Sequence, residues 1–368
     1  MIYLLSIAVL FVAYVNGAND NFKGVATLYG GRVLSYRSAL SWAVITTFAG
    51  SIVSFFVGTK LLKLFSGQGI VDASVLSNPA FLASLALGAA LTVTIATVMG
   101  MPISTTHSLV GALIGTGIAS KGLISLSTLG KFFFLPLLAG PLSAIVLTSV
   151  VYGILHVVRI RLGIESSSFC LCVGDRQEAV VRDAGSIVHH ASGLKVALED
   201  EQYCRRIYQG KFIGLNIQKI INAFHILSSG LVSFARGLND APKIAALMMI
   251  VYFLSPGTGV LMIGITMAIG GLLHSYKIAQ RMSFDVTEMN PGQAFTGNFV
   301  TASLVILGSL MGFPLSTTHV SCGSIFGIGL VNREANIRTI LQIITAWVTT
   351  LPLAALLSAL TWYILGKS

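Results

Sequence analysis

Two short motifs hold most of the residues whose types and spacing could do chemistry, and each occurs twice. Gly17-Ala18-Asn19-Asp20 runs on into Asn21-Phe22-Lys23, and Gly237-Leu238-Asn239-Asp240 runs on into Ala241-Pro242-Lys243. Pro102-Ile103-Ser104-Thr105-Thr106-His107 is likewise answered by Pro314-Leu315-Ser316-Thr317-Thr318-His319. The first pair lies 220 residues apart and the second 212, so the motifs keep their order and nearly keep register. That is the mark of an internal repeat.

Asp20 and Asp240 adjoin apolar runs. A charge inside a bilayer costs about 2.5–3.5 kcal/mol on insertion scales, which marks both as functional candidates. A helix cap at the membrane surface would explain one aspartate, but less well the recurrence of Gly-x-Asn-Asp-x-x-Lys. The second motif has its own mechanics. Gly100 and Pro102, like Gly312 and Pro314, break the preceding helix, and a new one starts in the Ser-Thr-Thr cluster. Such a start offers unpaired N–H groups, a partial positive charge and hydroxyls, which suits an anion without a formal cation. Two of them could enclose a tetrahedral oxyanion through Ser104, Thr105, Thr106, Ser316, Thr317 and Thr318. Close packing of helices through small residues is the competing reading.

Two carboxylates and a phosphate would sum to more negative charge than a low dielectric tolerates, which argues for coupling to cations or protons. Sodium is suited by hard oxygens from Asp20, Asp240 and the side chains of Asn19 and Asn239. The carboxylates also favour phosphate over sulfate, because protonated phosphate can donate a hydrogen bond to them. His107 and His319 are proton-relay candidates; the plainer reading has each imidazole bonded to its own loop. Lys23 and Lys243 either neutralise the anion or snorkel to the interface. Arg236 stands where the first repeat has Asn16, so the half-sites differ.

The elements that must position these residues lie in lipid. The 368 residues are 54% hydrophobic and only 10% charged, against about a quarter charged in soluble domains, and the mean hydropathy is +0.84. Apolar stretches begin at roughly 2–15, 38–58, 80–99, 131–158, 219–235, 243–275, 293–313 and 337–365; a span takes about 20 residues, so the longer ones leave the number of crossings open. Residues 1–15 lack a basic start and a cleavage site and are expected to stay in the protein. The net charge of +10 reads as the positive-inside rule rather than as nucleic-acid binding. Nine Lys and Arg residues fall between Arg159 and Lys219, which puts that segment on the cytoplasmic side.

The chain therefore divides into a first transmembrane repeat, 1–162, a polar central linker, 163–214, and a second repeat, 215–368. Within the linker, Phe169–Val173, a Gly-Asp turn and Ala179–Val181 suggest a short hairpin, and 186–208 a helix. Cys170, Cys172, Cys204 and Cys322 form no disulfide pattern, and with His189 and His190 they match no closed zinc motif. A passive channel would need no paired aspartates, and an enzyme built on Ser-Thr-Thr-His would lack a third orienting group.

The four motifs, in this order and covering both halves, resemble those of the inorganic phosphate transporter family, in which a Gly-Ala-Asn-Asp motif and a Pro-x-Ser-Thr-Thr-His motif mark each repeat. The resemblance implies an all-α integral membrane protein of two inverted-topology repeats with re-entrant or broken helices at the substrate site. It implies a secondary transporter, not an enzyme, in the cell membrane, importing phosphate by symport with sodium, or alternatively a proton-coupled phosphate or sulfate permease. Carried over by position, Asp20, Asp240 and the six hydroxyl residues would bind phosphate, and Asn19, Asp20, Asn239 and Asp240 would bind sodium. No cofactor is expected, and a homodimer is expected by analogy. Asn21-Phe22-Lys23 and Leu238 depart from the small residues common at these places.

Overall fold

The computed structural model describes all residues except 68, 123, 162–168, 182–186, 201–211, 250–255, 285–288, 334–336 and 367–368. It forms two compact units, Met1–Tyr152 with Ile226–Ser368, and Gly153–His225.

The first unit is helical. In the first half, α1 is Ile2–Asp20, α2 Tyr36–Val57, α3 Pro79–Val98, α4 Thr105–Ala119 and α5 Leu135–Arg161. In the second half, α6 is Ile217–Met249, α7 Pro256–His274, α8 Tyr276–Phe284, α9 Pro291–Met311, α10 Thr317–Asn332 and α11 Ile337–Leu365. Seven stretches among the described residues are long and apolar enough to cross a membrane. Rows of exposed apolar side chains such as Leu138, Leu142 and Val146 give them lipid-facing stripes. The protein is thus a multi-pass membrane protein.

Local chemistry repeats with the motifs. Asn78 caps α3 by accepting the Ala80 N–H, and Asn290 caps α9 by accepting the Gln293 N–H, each ahead of a proline in the first turn. Gly100 and Gly312 end the same two helices at φ of 69° and 86°, a left-handed conformation that costs glycine little.

The halves are interleaved. A methyl group on Gly17 of α1 would lie 1.9 Å from the Met267 carbonyl oxygen of α7, and one on Gly270 of α7 would lie 1.9 Å from that of Tyr14 in α1. In the counterpart contact, Gly237 of α6 meets the Thr47 carbonyl of α2 and Gly50 meets that of Phe234, each at 2.0 Å. All four matched positions are 220 residues apart. Each half's first helix thus packs on the other half's second helix, backbone to backbone, as small residues permit in lipid. The last helices cross over too. Gly111 and Gly115 of α4 press on the Leu351 and Ala355 carbonyls of α11, while Gly323 and Gly327 of α10 press on those of Pro141 and Ile145 of α5.

The second unit contains a three-stranded antiparallel sheet in the order β2-β1-β3, with β1 Phe169–Val181, β2 Ile187–Asp200 and β3 Phe212–Asn216. The expected hairpin of Phe169–Val173 and Ala179–Val181 about a Gly-Asp turn is not formed: both arms and Gly174-Asp175 belong to the single strand β1, which pairs with β2 from Phe169 opposite Asp200 to Val181 opposite Ile187. The helix expected over 186–208 is a strand over Ile187–Asp200. Leu194, Val196 and Leu198 alternate with Lys195, Ala197 and Glu199, a period of two that Gly193 does not oppose; residues 201–208 lie outside the described residues. Cys172 is disulfide-bonded, which the cysteine spacing did not suggest.

Candidate functional site

The first Asn-Asp motif ends α1: Asp20 is its last residue, and a 3-10 turn over Lys23–Val25 follows. The second lies inside the long helix α6, which carries Pro242. The Ser-Thr-Thr clusters open α4 and α10 as expected. Ser104 and Ser316 are the N-caps, accepting the N–H of His107 at 3.2 Å and of His319 at 3.3 Å. The two serine hydroxyls therefore serve their own helices first, and the threonines face inward.

Each asparagine ties its helix to the break that precedes its own half's Ser-Thr-Thr helix. Asn19 Nδ2 donates to Thr97 Oγ1 at 2.9 Å and to the Met101 carbonyl at 3.1 Å, and its Oδ1 accepts the Ile103 N–H at 3.2 Å. In the counterpart, Asn239 Nδ2 donates to the Leu315 carbonyl at 2.9 Å and to Asp240 Oδ1 at 3.0 Å, and Ser309 Oγ donates to Asn239 Oδ1 at 3.1 Å.

The carboxylates bring the halves together. Thr105 Oγ1 donates to Asp20 Oδ2 at 2.8 Å. Asn16 Nδ2 donates to Asp20 Oδ2 at 2.9 Å and to Thr105 Oγ1 at 3.0 Å, and reaches Asp240 Oδ2 at 3.4 Å. Asp20 and Asp240 are buried, as are Asn16, Asn19, Asn239 and all six Ser-Thr-Thr hydroxyl residues.

Neither lysine snorkels; both are buried. Lys23 Nζ pairs with Asp20 and donates to the Ile103 carbonyl at 2.6 Å and to Thr318 Oγ1, in the other half, at 2.9 Å. Lys243 Nζ lies 3.4 Å from Asp240 Oδ1 and donates to the Leu315 carbonyl at 2.8 Å and to Thr106 Oγ1, again in the other half, at 2.8 Å. Each ammonium thus holds its own half's carboxylate and loop and the opposite half's threonine. Such a pair survives out of water only when most donors and acceptors are met, as here. The charge count that called for outside cations omitted these two.

The histidines meet across the halves: the His107 and His319 ring centroids are 4.3 Å apart, and His319 also stacks on Trp347 at 3.7 Å. His107 Nδ1 keeps to its own loop, 3.1 Å from Ser104 Oγ, whereas His319 Nε2 has no hydrogen-bond partner among the described residues. The plain reading of the imidazoles therefore holds for one and not for the other. Asn16 was missed as a site residue; its place four residues before Asp20, one helical turn away, was the available signal.

A cavity of about 20 Å³, lined by Lys23, Thr27, Asn298, Ser321 and Ile325 among others, adjoins this cluster. It has room for about one water. The cluster offers hydroxyls, buried carboxylates and ammonium groups converging from both halves, which suits the binding of a small ion.

Comparison with known proteins bears on what that ion is. The model of the phosphate transporter family matches residues 16–358. A Rhizobium meliloti protein named a probable low-affinity inorganic phosphate transporter is 27% identical over 99% of this chain and 96% of its own length. The Arabidopsis thaliana inorganic phosphate transporter 2-1, chloroplastic, is 26% identical over 99% of this chain and 73% of its own. Among solved structures, one named as the sodium-dependent phosphate transporter shares the fold, with a TM-score of 0.76 and 20% identity over 100% of this chain and 99% of that one. With its family matched from Asn16 into the last helix, this chain belongs to the phosphate transporter family, a family of transporters and not of enzymes.

Proposed function

We propose that this chain imports inorganic phosphate across the cell membrane by symport with sodium, the two halves alternating access to the buried site they share. The observation that carries this reading is the exchange of lysine contacts, Lys23 to Thr318 and Lys243 to Thr106, which makes one site from two Ser-Thr-Thr helix starts. Phosphate entering there would break these bonds and take the threonine hydroxyls and ammonium groups for itself, with Asp20 or Asp240 accepting a hydrogen bond from its remaining hydroxyl. Rearrangement of one half against the other, as between inverted repeats, would then expose the site to the opposite side.

Sodium is supported by the name of the solved structure that shares this fold and by one orphaned oxygen. Asn16 Oδ1 is buried and has no hydrogen-bond partner among the described residues. With Asp20 and Thr105 beside it, it offers the hard donors that sodium takes. Asn19 Oδ1, which accepts the Ile103 N–H, and Asn239 Oδ1, which accepts from Ser309 in α9, keep a second lone pair each. A proton-coupled phosphate or sulfate permease is the second reading. It is favoured by Lys23 and Lys243, which already stand beside the carboxylates that a coupling cation would need.

Radiolabelled phosphate uptake into proteoliposomes separates the two, under an inward sodium gradient, a proton gradient, or neither, with unlabelled sulfate as competitor. Sodium-driven uptake that ignores sulfate is the expected result. Uptake driven by protons alone, or blocked by sulfate, selects the second reading, and no uptake under any gradient removes both.

A further inference from the structure

Arg236 is the charged side chain of the cluster that the repeat does not duplicate, because its counterpart 220 residues earlier is Asn16. Asn16 bonds its own half's carboxylate and threonine, at 2.9 and 3.0 Å. Arg236 does not close the matching bonds. Its Nε stands 4.0 Å from Asp240 Oδ2, and its Nη2 reaches across to donate to Asn21 Oδ1 at 2.9 Å. Nε and Nη1 have no hydrogen-bond partner among the described residues, although Arg236 is only 1% exposed.

A desolvated guanidinium with unmet donors is among the costlier groups a folded chain can hold. The charges sharpen the point. Asp20 and Asp240 face Lys23, Lys243 and Arg236, and each carboxylate already has a lysine, so one positive charge is left over at Arg236. Among the described residues no carboxylate beyond Asp20 and Asp240 acts on it, which leaves room for the charge of a bound anion. A guanidinium also keeps its charge at any working pH and suits planar donation to oxyanions.

We propose that Arg236 is an oxyanion-binding residue: its free Nε and Nη1 donors hold a doubly charged tetrahedral oxyanion, phosphate or sulfate, beside Asp240, and its surplus charge together with one cation on the Asn16 side balances that anion. This rests on the transport reading above and adds to it a residue and a preferred charge state. It also makes the site asymmetric: the anion sits toward the second half's carboxylate, and the oxygen-rich Asn16 side stays open to a cation.

The test is equilibrium binding of radiolabelled phosphate, and separately of sulfate, to the purified full chain in detergent across mildly acidic to mildly alkaline pH, together with the KM and maximal rate of uptake. The wild type should bind phosphate more tightly as the dianion becomes dominant. R236Q should weaken binding at least about 30-fold, flatten that pH dependence, and raise KM more than it lowers the maximal rate; R236K should fall between. If R236Q does not fold, R236K decides by the same comparison. A folded variant that binds phosphate with unchanged affinity and pH dependence, or loses maximal rate alone, overturns the proposal while leaving the transport reading intact. A wild-type chain that binds neither anion sinks both.

Discussion

Lys23 Nζ in the first half donates to Thr318 Oγ1 in the second at 2.9 Å, and Lys243 Nζ in the second donates to Thr106 Oγ1 in the first at 2.8 Å. The halves are therefore latched at their most charged point by two bonds that any opening has to break.

The latch should be measurable as an energy. A hydrogen bond to a charged group contributes about 1.5–3 kcal/mol. Lys23→Met and Thr318→Val, made singly and together, should show a coupling of about that size in thermal unfolding, as should Lys243→Met with Thr106→Val. Additivity within about 0.5 kcal/mol would mean that neither bond persists in the working protein.

The aspartates should differ in stability and agree in function. Asp20→Asn and Asp240→Asn should both reduce gradient-driven phosphate uptake to background while still purifying as folded protein. Asp240 is shared by Lys243, Arg236, Asn239 and Asn16, so its loss strands two cations rather than one. Breaking a buried pair costs about 3–5 kcal/mol, and the Asp240 variant should melt at the lower temperature. Normal uptake by either variant would remove both aspartates from the transport site.

The glycine contacts make a sharper stability test. Gly17→Ala and Gly237→Ala each place a methyl group within about 2 Å of a backbone oxygen on a neighbouring helix, and overpacking of this kind costs about 1–3 kcal/mol. Gly259, also helical, has nothing within 4 Å of such a methyl group. Gly259→Ala should leave the melting temperature unchanged or raise it, and equal behaviour of all three variants would refute the close packing.

Orientation can be read at Val196, 68% exposed on β2. We propose a cytoplasmic central segment, because Arg159, Arg161 and Lys219 flank it and the positive-inside rule would place them there, whereas the disulfide at Cys172 is more at home in an oxidising compartment. A cysteine introduced as Val196→Cys should react with a membrane-impermeant thiol reagent only after the cells are opened. Labelling of intact cells would reverse the assigned orientation.

Much of this architecture was legible in the residues. The Gly and Pro breaks, the Ser-Thr-Thr helix starts and the inward aspartates follow from local chemistry that reads the same in any context. The glycine register of 220 could also have been found, since Gly50 and Gly270 keep the spacing of the Asn-Asp motifs. The direction of Lys23 and Lys243 could not. A lysine near a helix end has apolar stem and charged head enough for either course, and only the loop carbonyls of Ile103 and Leu315, brought there by tertiary folding, decide it. Residues 187–200 differ for another reason: the expected helix over 186–208 gives way to a strand that is fixed by pairing along β1, a long-range partner the sequence does not name.

The crossing of α1 onto α7 and of α4 onto α11 also governs how the chain must be made. When the first half leaves the ribosome, the glycine faces at Gly17, Gly111 and Gly115 can close only on lipid, because their partner helices have yet to be synthesised. Insertion and folding are thus separate events here, and residues 1–162 produced alone should reach the membrane yet stay open to protease. The same crossing means that the strongest recognition surfaces lie between the halves, so two halves made as separate polypeptides should find one another in the bilayer and restore protection.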